Sequence, residues 1–377
     1  MSKAADLANL IGNINAGGGG VNRNLIINGA MNVAQRGTVT GVGNDAYTLD
    51  RFAFTYSQDG AFTVTQDSSA PDGFANSLKV DVTTADDSLA TSQYLIMEHK
   101  IEAQNLQHLH FGKSSAKNIA LSFYVKSNKT GTYGVSIIQS DNSSKIANLT
   151  YTINSANTWE QKSLTFTGDT SGVINDDNGI GLKVGFTLAV GSTWTSGDTS
   201  ASFRTFVNGN YGAGQTVNIL DHVDNEWFIT GVQLEVGQNP TEFEHEKFSQ
   251  TLEKCSRYYQ KTKADSDSYK HFGLWFCAAD TGGGGTGYGT VAIPLVTTMR
   301  TIPSLETTGT VGNYSILAKN VNYALTTFSV DTGIDDGTIN GQFYLNAYSA
   351  GGMGVGTAGA VRANNTSVAF VALDAEL

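Results

Sequence analysis

At 377 residues the chain has room for two or three domains, and 43 glycines against 4 prolines, with charged residues at only 15%, describe short apolar runs between polar turns. The formal net charge is −11 and the 23 lysines and arginines are spread thinly, which argues against a phosphate-binding face and a nucleic-acid partner. No run approaches the roughly 20 apolar residues of a membrane-spanning helix, and the opening MSKAADLANLIGN lacks the regions of a signal peptide, so no membrane insertion or export is expected.

Residues 3–14 predict a short amphipathic helix with Leu7, Leu10, Ile11 and Ile14 on one stripe, followed by a Gly17–Gly20 tether. A helix this short is unstable alone in water, so it either frays or docks on another surface. From residue 24 the pattern turns to strands. Ile119, Leu121, Phe123 and Val125 alternate with Ala120, Ser122, Tyr124 and Lys126, and Leu182 to Val190 repeats that period. Tyr133, Val135 and Ile137 make a third run, Leu164 with Phe166 a fourth, and Asn128–Gly131 and Asn175–Gly179 read as turns. One apolar face per strand requires a second sheet to cover it, hence a sandwich.

Glu226 to Val236 predicts the last strand of this unit, with Phe228, Val232, Leu234 and Val236 on one face and a turn at Gly237–Pro240. The period then changes. Phe248, Leu252, Cys255 and Tyr259 form a helical stripe, with Glu242, Glu244 and Glu246 before it and Lys254, Arg257 and Lys261 towards its end, as the helix dipole favours. Beyond it, strands are expected at Phe272–Cys277, Thr290–Val296, Asn313–Lys319, Thr327–Val330, Gln342–Ala347 and Ser367–Leu373. Loops are expected at Asp280–Gly289, Asp331–Gly341 and Ser349–Ala360. Cys255 and Cys277 read as buried thiols rather than a disulfide.

The expected fold class is therefore mainly β. A short N-terminal helix and tether (1–23) precedes a jelly-roll-like β-sandwich (24–240), a linking helix (241–264) and a second, C-terminal β domain (265–377).

Chemistry-bearing motifs are few. Trp194, Tyr211, Tyr288 and Tyr348 stand in polar, Gly- or Ser-rich segments, where an exposed ring either stacks on a sugar face or anchors a loop. Trp159, Trp227 and Trp275 fall in strand-like runs and read as core. His108 and His110 share a face if extended, so three copies around an axis would offer six imidazoles to a metal; otherwise they are a turn-edge pair. Asp169, Asp176, Asp177 and Asn178 offer oxygens either to a structural Ca2+ or to solvent. Gly282, Gly284 and Gly287 fit a dinucleotide-binding spacing, but a strand follows, so a hairpin loop is the reading. No nucleophile elbow, zinc-protease motif or depolymerase solenoid period is present, and no enzyme, cofactor or metal requirement is expected beyond that Ca2+ option.

Five stretches together resemble tailed-bacteriophage virion proteins: NLIINGAMNVAQRGT from Asn24, YTLDRFAF from Tyr47, residues 108–133, residues 151–172 and residues 227–261. The resemblance covers about Asn24 to Lys261, with its segments in family order, and departs at Glu246, where the family pattern has a basic residue after Phe-Glu-His. It implies a carbohydrate-binding-module-like sandwich in a tail fibre or minor structural protein, probing host-surface glycans or proteins. It further implies a homotrimer, attachment to other virion proteins through the N-terminus, a C-terminal receptor-binding tip, and synthesis in the host bacterial cytoplasm. A virion decoration or adaptor protein and a glycan-cleaving tailspike are the alternatives.

Overall fold

The computed structural model describes residues 22–141, 144–280, 287–330, 342–349 and 356–377, with side chains except at 277–280, 287–288, 330, 342–344 and 346. The expected N-terminal helix, its tether and the glycines at 282–285 lie outside the described residues. The chain divides after Thr251 into two compact units, with Leu377 counted in the first.

The first unit is a two-sheet β-sandwich. Its strands are β1 Val39–Thr40, β2 Ala46–Tyr47, β3 Phe52–Ser57, β4 Ala61–Asp67, β5 Ser77–Thr84, β6 Tyr94–Glu102, β7 Ile119–Ser127, β8 Gly131–Gln139, β9 Lys145–Ile153, β10 Glu160–Phe166, β11 Ile180–Val190, β12 Ser200–Thr205 and β13 Glu226–Val236. One sheet runs β1-β4-β5-β13-β7-β10 and the other β12-β9-β8-β11-β6-β3-β2. Leu121, Phe123 and Val125 of the first sheet and Val135, Ile137, Val184 and Phe186 of the second share one buried core, as their alternation requires.

The face assignment in β13 needs correction. Trp227 and Ile229 join the core with Val232, Leu234 and Val236, whereas Phe228 points outward under Lys79, Lys126 and Trp159. Between Thr230 and Gln233 the strand carries one residue more than its partner β7, a bulge that shifts the alternation by one. Gly231 sits in it at φ +61°, and a Cβ there would lie 2.7 Å from the Phe74 ring. Beyond the bulge the N-terminal segment takes over beside β13: Leu25 N–H donates to Leu234 O and Val232 N–H to Gly29 O. Trp159, expected in the core, is half-buried on the outer face, packed on Phe228 with the Lys126 ammonium 5.3 Å from its ring.

The helix expected over 241–264 is shorter: α1 spans Phe248–Ser256. Its intended stripe is broken at both ends, since Phe248 is 57% exposed and Tyr259 belongs to a strand. The acids before it serve the sandwich instead. The Glu244 carboxylate accepts the backbone N–H groups of Asn22 and Asn24, and Arg23 pairs with the buried Glu235.

The second unit contains β14 Tyr259–Lys263, β15 His271–Asp280, β16 Gly287–Pro294, β17 Ser304–Thr307, β18 Tyr314–Ala318, β19 Val321–Val330, β20 Gln342–Ser349, β21 Ala358–Ala363 and β22 Phe370–Asp374. Six of them close a barrel, β15-β16-β20-β19-β18-β21, and β14-β22-β17 form a separate three-stranded sheet. Trp275, Val291, Ile316, Leu345 and Val361 belong to its core. Three strands lie where the sequence pattern places none: β14 was expected as helix, β17 lay unassigned, and β21 overlaps an expected loop. The small residues of β21 read as loop, yet they fit a strand between β15 and β18: a Cβ at Gly359 would stand 2.5 Å from Leu317 O.

Candidate functional site

The outer face of the seven-stranded sheet holds a cleft of about 290 Å3. Alternation puts Tyr94, Ile96 and Glu98 of β6 on the side away from Leu95 and Met97, and it aims Lys183 of β11 and Ile138 of β8 the same way. The segment after β11 supplies the rest. Trp194 follows a turn at Gly191, and Phe206, Asn208 and Tyr211 lie in the stretch after β12.

The rings are packed edge to face. Tyr94 and Trp194 stand 4.8 Å apart, Trp194 and Tyr211 6.0 Å, and Phe206 and Tyr211 5.9 Å. Trp194 is held by its indole N–H, which donates to Ser92 O at 2.8 Å. Ile96, Ile138 and Ile146 support the group from beneath. Tyr211, only 7% exposed, donates its hydroxyl to Glu98 Oε1. Burial and then the adjacent Glu98 carboxylate push the Tyr211 phenol well above its usual range, so it remains a donor. Polar groups around the rim are Thr55, Ser144, Lys183 and Asn208. Half-buried rings flanked by a few fixed polar groups suit a ligand with an apolar face and hydroxyl edges.

Of the four aromatic candidates, the fold brings Trp194 and Tyr211 together here. Tyr348 stands half-buried on β20 of the other unit, and the side chain of Tyr288 lies outside those described. Tyr94, Glu98 and Phe206 are not among the sequence candidates; for the two on β6, no local signal distinguishes the outer face of a covered sheet from the inner one.

The histidine and carboxylate candidates lie in turns. His108 lies in a 3-10 turn and His110 caps it at φ 58°, so the pair is not extended. Burial, then Lys117 and His110, lower the His108 imidazole, and Ser115 Oγ is 3.3 Å from His110 Nδ1. Asp169 pairs with the Lys145 ammonium at 3.0 Å, while Asp177 accepts the N–H of Gly179. Among the described residues no group of three or more His, Cys, Asp or Glu is placed to hold a metal ion. Cys255 is buried, and the Cys277 side chain lies outside those described. Among the described residues no helix is long and apolar enough to cross a membrane.

No family model and no curated protein matches the sequence. Several solved structures align with the chain. The enzymatically active domain of bacteriophage CBA120 tailspike protein 4 does so at 14% identity and TM-score 0.32, over 57% of this chain and 21% of its own. A CBM4 structure aligns at 17% identity and TM-score 0.29, over 56% of this chain and 99% of its own. The family 11 carbohydrate-binding module of a Clostridium thermocellum cellulosomal cellulase aligns at 13% identity and TM-score 0.28, over 55% and 98%. At scores this low the architecture stands on the sheet order described above, not on likeness.

Proposed function

We propose that this chain is a glycan-binding fibre protein of a tailed bacteriophage virion, engaging the host surface through the sandwich cleft. The observation that carries the binding part is the cleft itself, where Tyr94, Trp194, Phe206 and Tyr211 converge around a buried carboxylate. The virion assignment rests on the resemblance of residues 24–261 to phage structural proteins. With it come homotrimerisation, particle attachment through residues 1–23, and a virion location after synthesis in the host cytoplasm. The C-terminal β domain remains the proposed tip, with Tyr348 and Tyr288 as its candidate contacts.

Binding without cleavage is the expected chemistry. Most glycosidases use two carboxylates flanking the scissile bond, and Glu98 is the single acid among the residues lining the cleft. Replacing Trp194 with Ala should weaken glycan binding at least about tenfold, in line with the loss of an aromatic anchor, while the thermal midpoint moves little because the ring is half-exposed. Unchanged affinity in that variant would remove the cleft from the account, and oligosaccharide released from host envelope polysaccharide would replace the binder with a tailspike enzyme.

A second reading, an adaptor that binds other phage proteins, draws on the barrel exterior. Leu274 and Phe276 are 61% and 55% exposed there, next to Ala292, Ala358 and Ala360 on the flanking strands.

A further inference from the structure

This inference rests on the glycan reading of the cleft and adds the polarity of the group the cleft accepts. Glu98 is 2% exposed on β6. Its Oε1 is engaged by the Tyr211 hydroxyl, but its Oε2 is buried without a hydrogen-bond partner. Among the described residues no basic side chain forms an ion pair with Glu98. Lys183, the cation lining the same cleft, lies across from Lys100 and Ile138 rather than from Glu98. The residue facing Glu98 on β11 is Gly185, which has no side chain to offer, and beyond it on β8 stands Ser136, whose Oγ is also buried and unpartnered. The Tyr211 ring lies beside this row: a Cβ at Gly185 would lie 3.6 Å from Tyr211 Cε2 and 3.0 Å from Ser136 Oγ.

We propose that Glu98 is the specificity-determining group of the cleft, selecting glycans that present a hydrogen-bond donor, a ring hydroxyl or an amino group, at its floor. A buried acceptor left without a donor is costly, and a ligand donor that reaches Oε2 removes that cost. A ligand oxygen that can only accept leaves the cost in place, and a sugar carboxylate adds like-charge repulsion to it. Because the pairing takes place out of water, it discriminates more sharply than the same contact at the rim. Tyr211 orients the acid and keeps one oxygen occupied, so a single donor is read.

The test uses the full chain and three probes, the tetramers of glucosamine, N-acetylglucosamine and galacturonic acid, titrated calorimetrically into the parent, Glu98→Gln and Trp194→Ala. In Glu98→Gln the amide oxygen takes the Tyr211 hydroxyl, so an N–H2 donor faces the ligand where an acceptor stood. The parent should bind the glucosamine and N-acetylglucosamine tetramers, and the galacturonate tetramer at least about tenfold more weakly. Glu98→Gln should narrow that gap at least about fivefold, and Trp194→Ala should weaken all three together. Equal affinity for the three probes, or a gap untouched by Glu98→Gln in a variant that melts as the parent does, overturns the role of Glu98 and leaves the glycan reading standing. Should the variant fail to fold, the ranking on the parent decides alone. No binding of any probe to the parent overturns both.

Discussion

Gly231 shows how much a single residue can decide. Its left-handed dihedral creates the bulge that puts Trp227, not Phe228, into the core. The alternation of this strand was legible in the sequence, but the bulge was not, because Thr-Gly-Val within a strand has the same composition with or without an inserted residue. Gly29 is demanded in a different way: a Cβ there would stand 2.1 Å from Val232 O, where the N-terminal segment crosses β13. Gly231→Val should therefore lower the unfolding free energy by more than about 2 kcal/mol, as strain at a special dihedral adds to the clash with Phe74. A chemical-denaturation midpoint equal to that of the parent would refute the bulge.

His99 is the second residue with a readable consequence. It is fully buried on β6, with Nε2 3.2 Å from Ile27 N and Phe52 edge-on at 5.1 Å. Burial, and after it the Arg51 guanidinium, lower its imidazole well below the usual value. Below about pH 6.5 the unfolded chain takes up a proton on this ring that the folded chain refuses. Stability should therefore fall as pH drops below about 6.5, by at most about 1.4 kcal/mol per pH unit from this group, until the depressed folded value is reached. Urea unfolding of the parent and His99→Gln at pH 7.5 and 5.5 isolates the contribution. Equal pH slopes in the two chains would show that His99 is not held neutral.

At the scale of elements, the binding cleft is built from two kinds of sequence, of which only one announces itself. The connection after β11 carries Trp194 and Tyr211 among Gly, Ser, Thr and Asn, and rings in such surroundings stand out as functional candidates. β6 reads YLIMEHKIE, and nothing in it tells that Tyr94 and Glu98 face a cleft while Leu95 and Met97 face the core. Both sides of this strand are covered, one by the other sheet and one by the 191–211 connection, so burial no longer separates function from packing. The shortened helix has a similar origin. Four, three and four spacing suits Phe248, Leu252, Cys255 and Tyr259, but Tyr259–Lys263 pairs with β22 instead of extending the helix. The Ser256 hydroxyl, donating back to Leu252 O at 2.8 Å, marks where the helix stops.

At the scale of the molecule, the mainly β class followed from composition and period, since strands with one apolar face each must pair into sheets that cover one another. The closing of the second unit into a barrel did not follow, because closure depends on pairings between strands far apart in sequence, such as β15 with β21. The proposed function turns on one cleft, and the four tryptophans are distributed so as to test it. Trp194 lines the cleft, Trp159 lies on the opposite sheet, and Trp227 and Trp275 are buried in the two separate cores. The decisive measurement is the indole 1H–15N spectrum during titration with the N-acetylglucosamine tetramer, its four signals assigned by substitution. Glycan binding in the cleft should give a saturable shift of the Trp194 signal with the other three unmoved; a saturable shift confined to Trp159 or Trp275 would place the ligand elsewhere and overturn the cleft as the binding site.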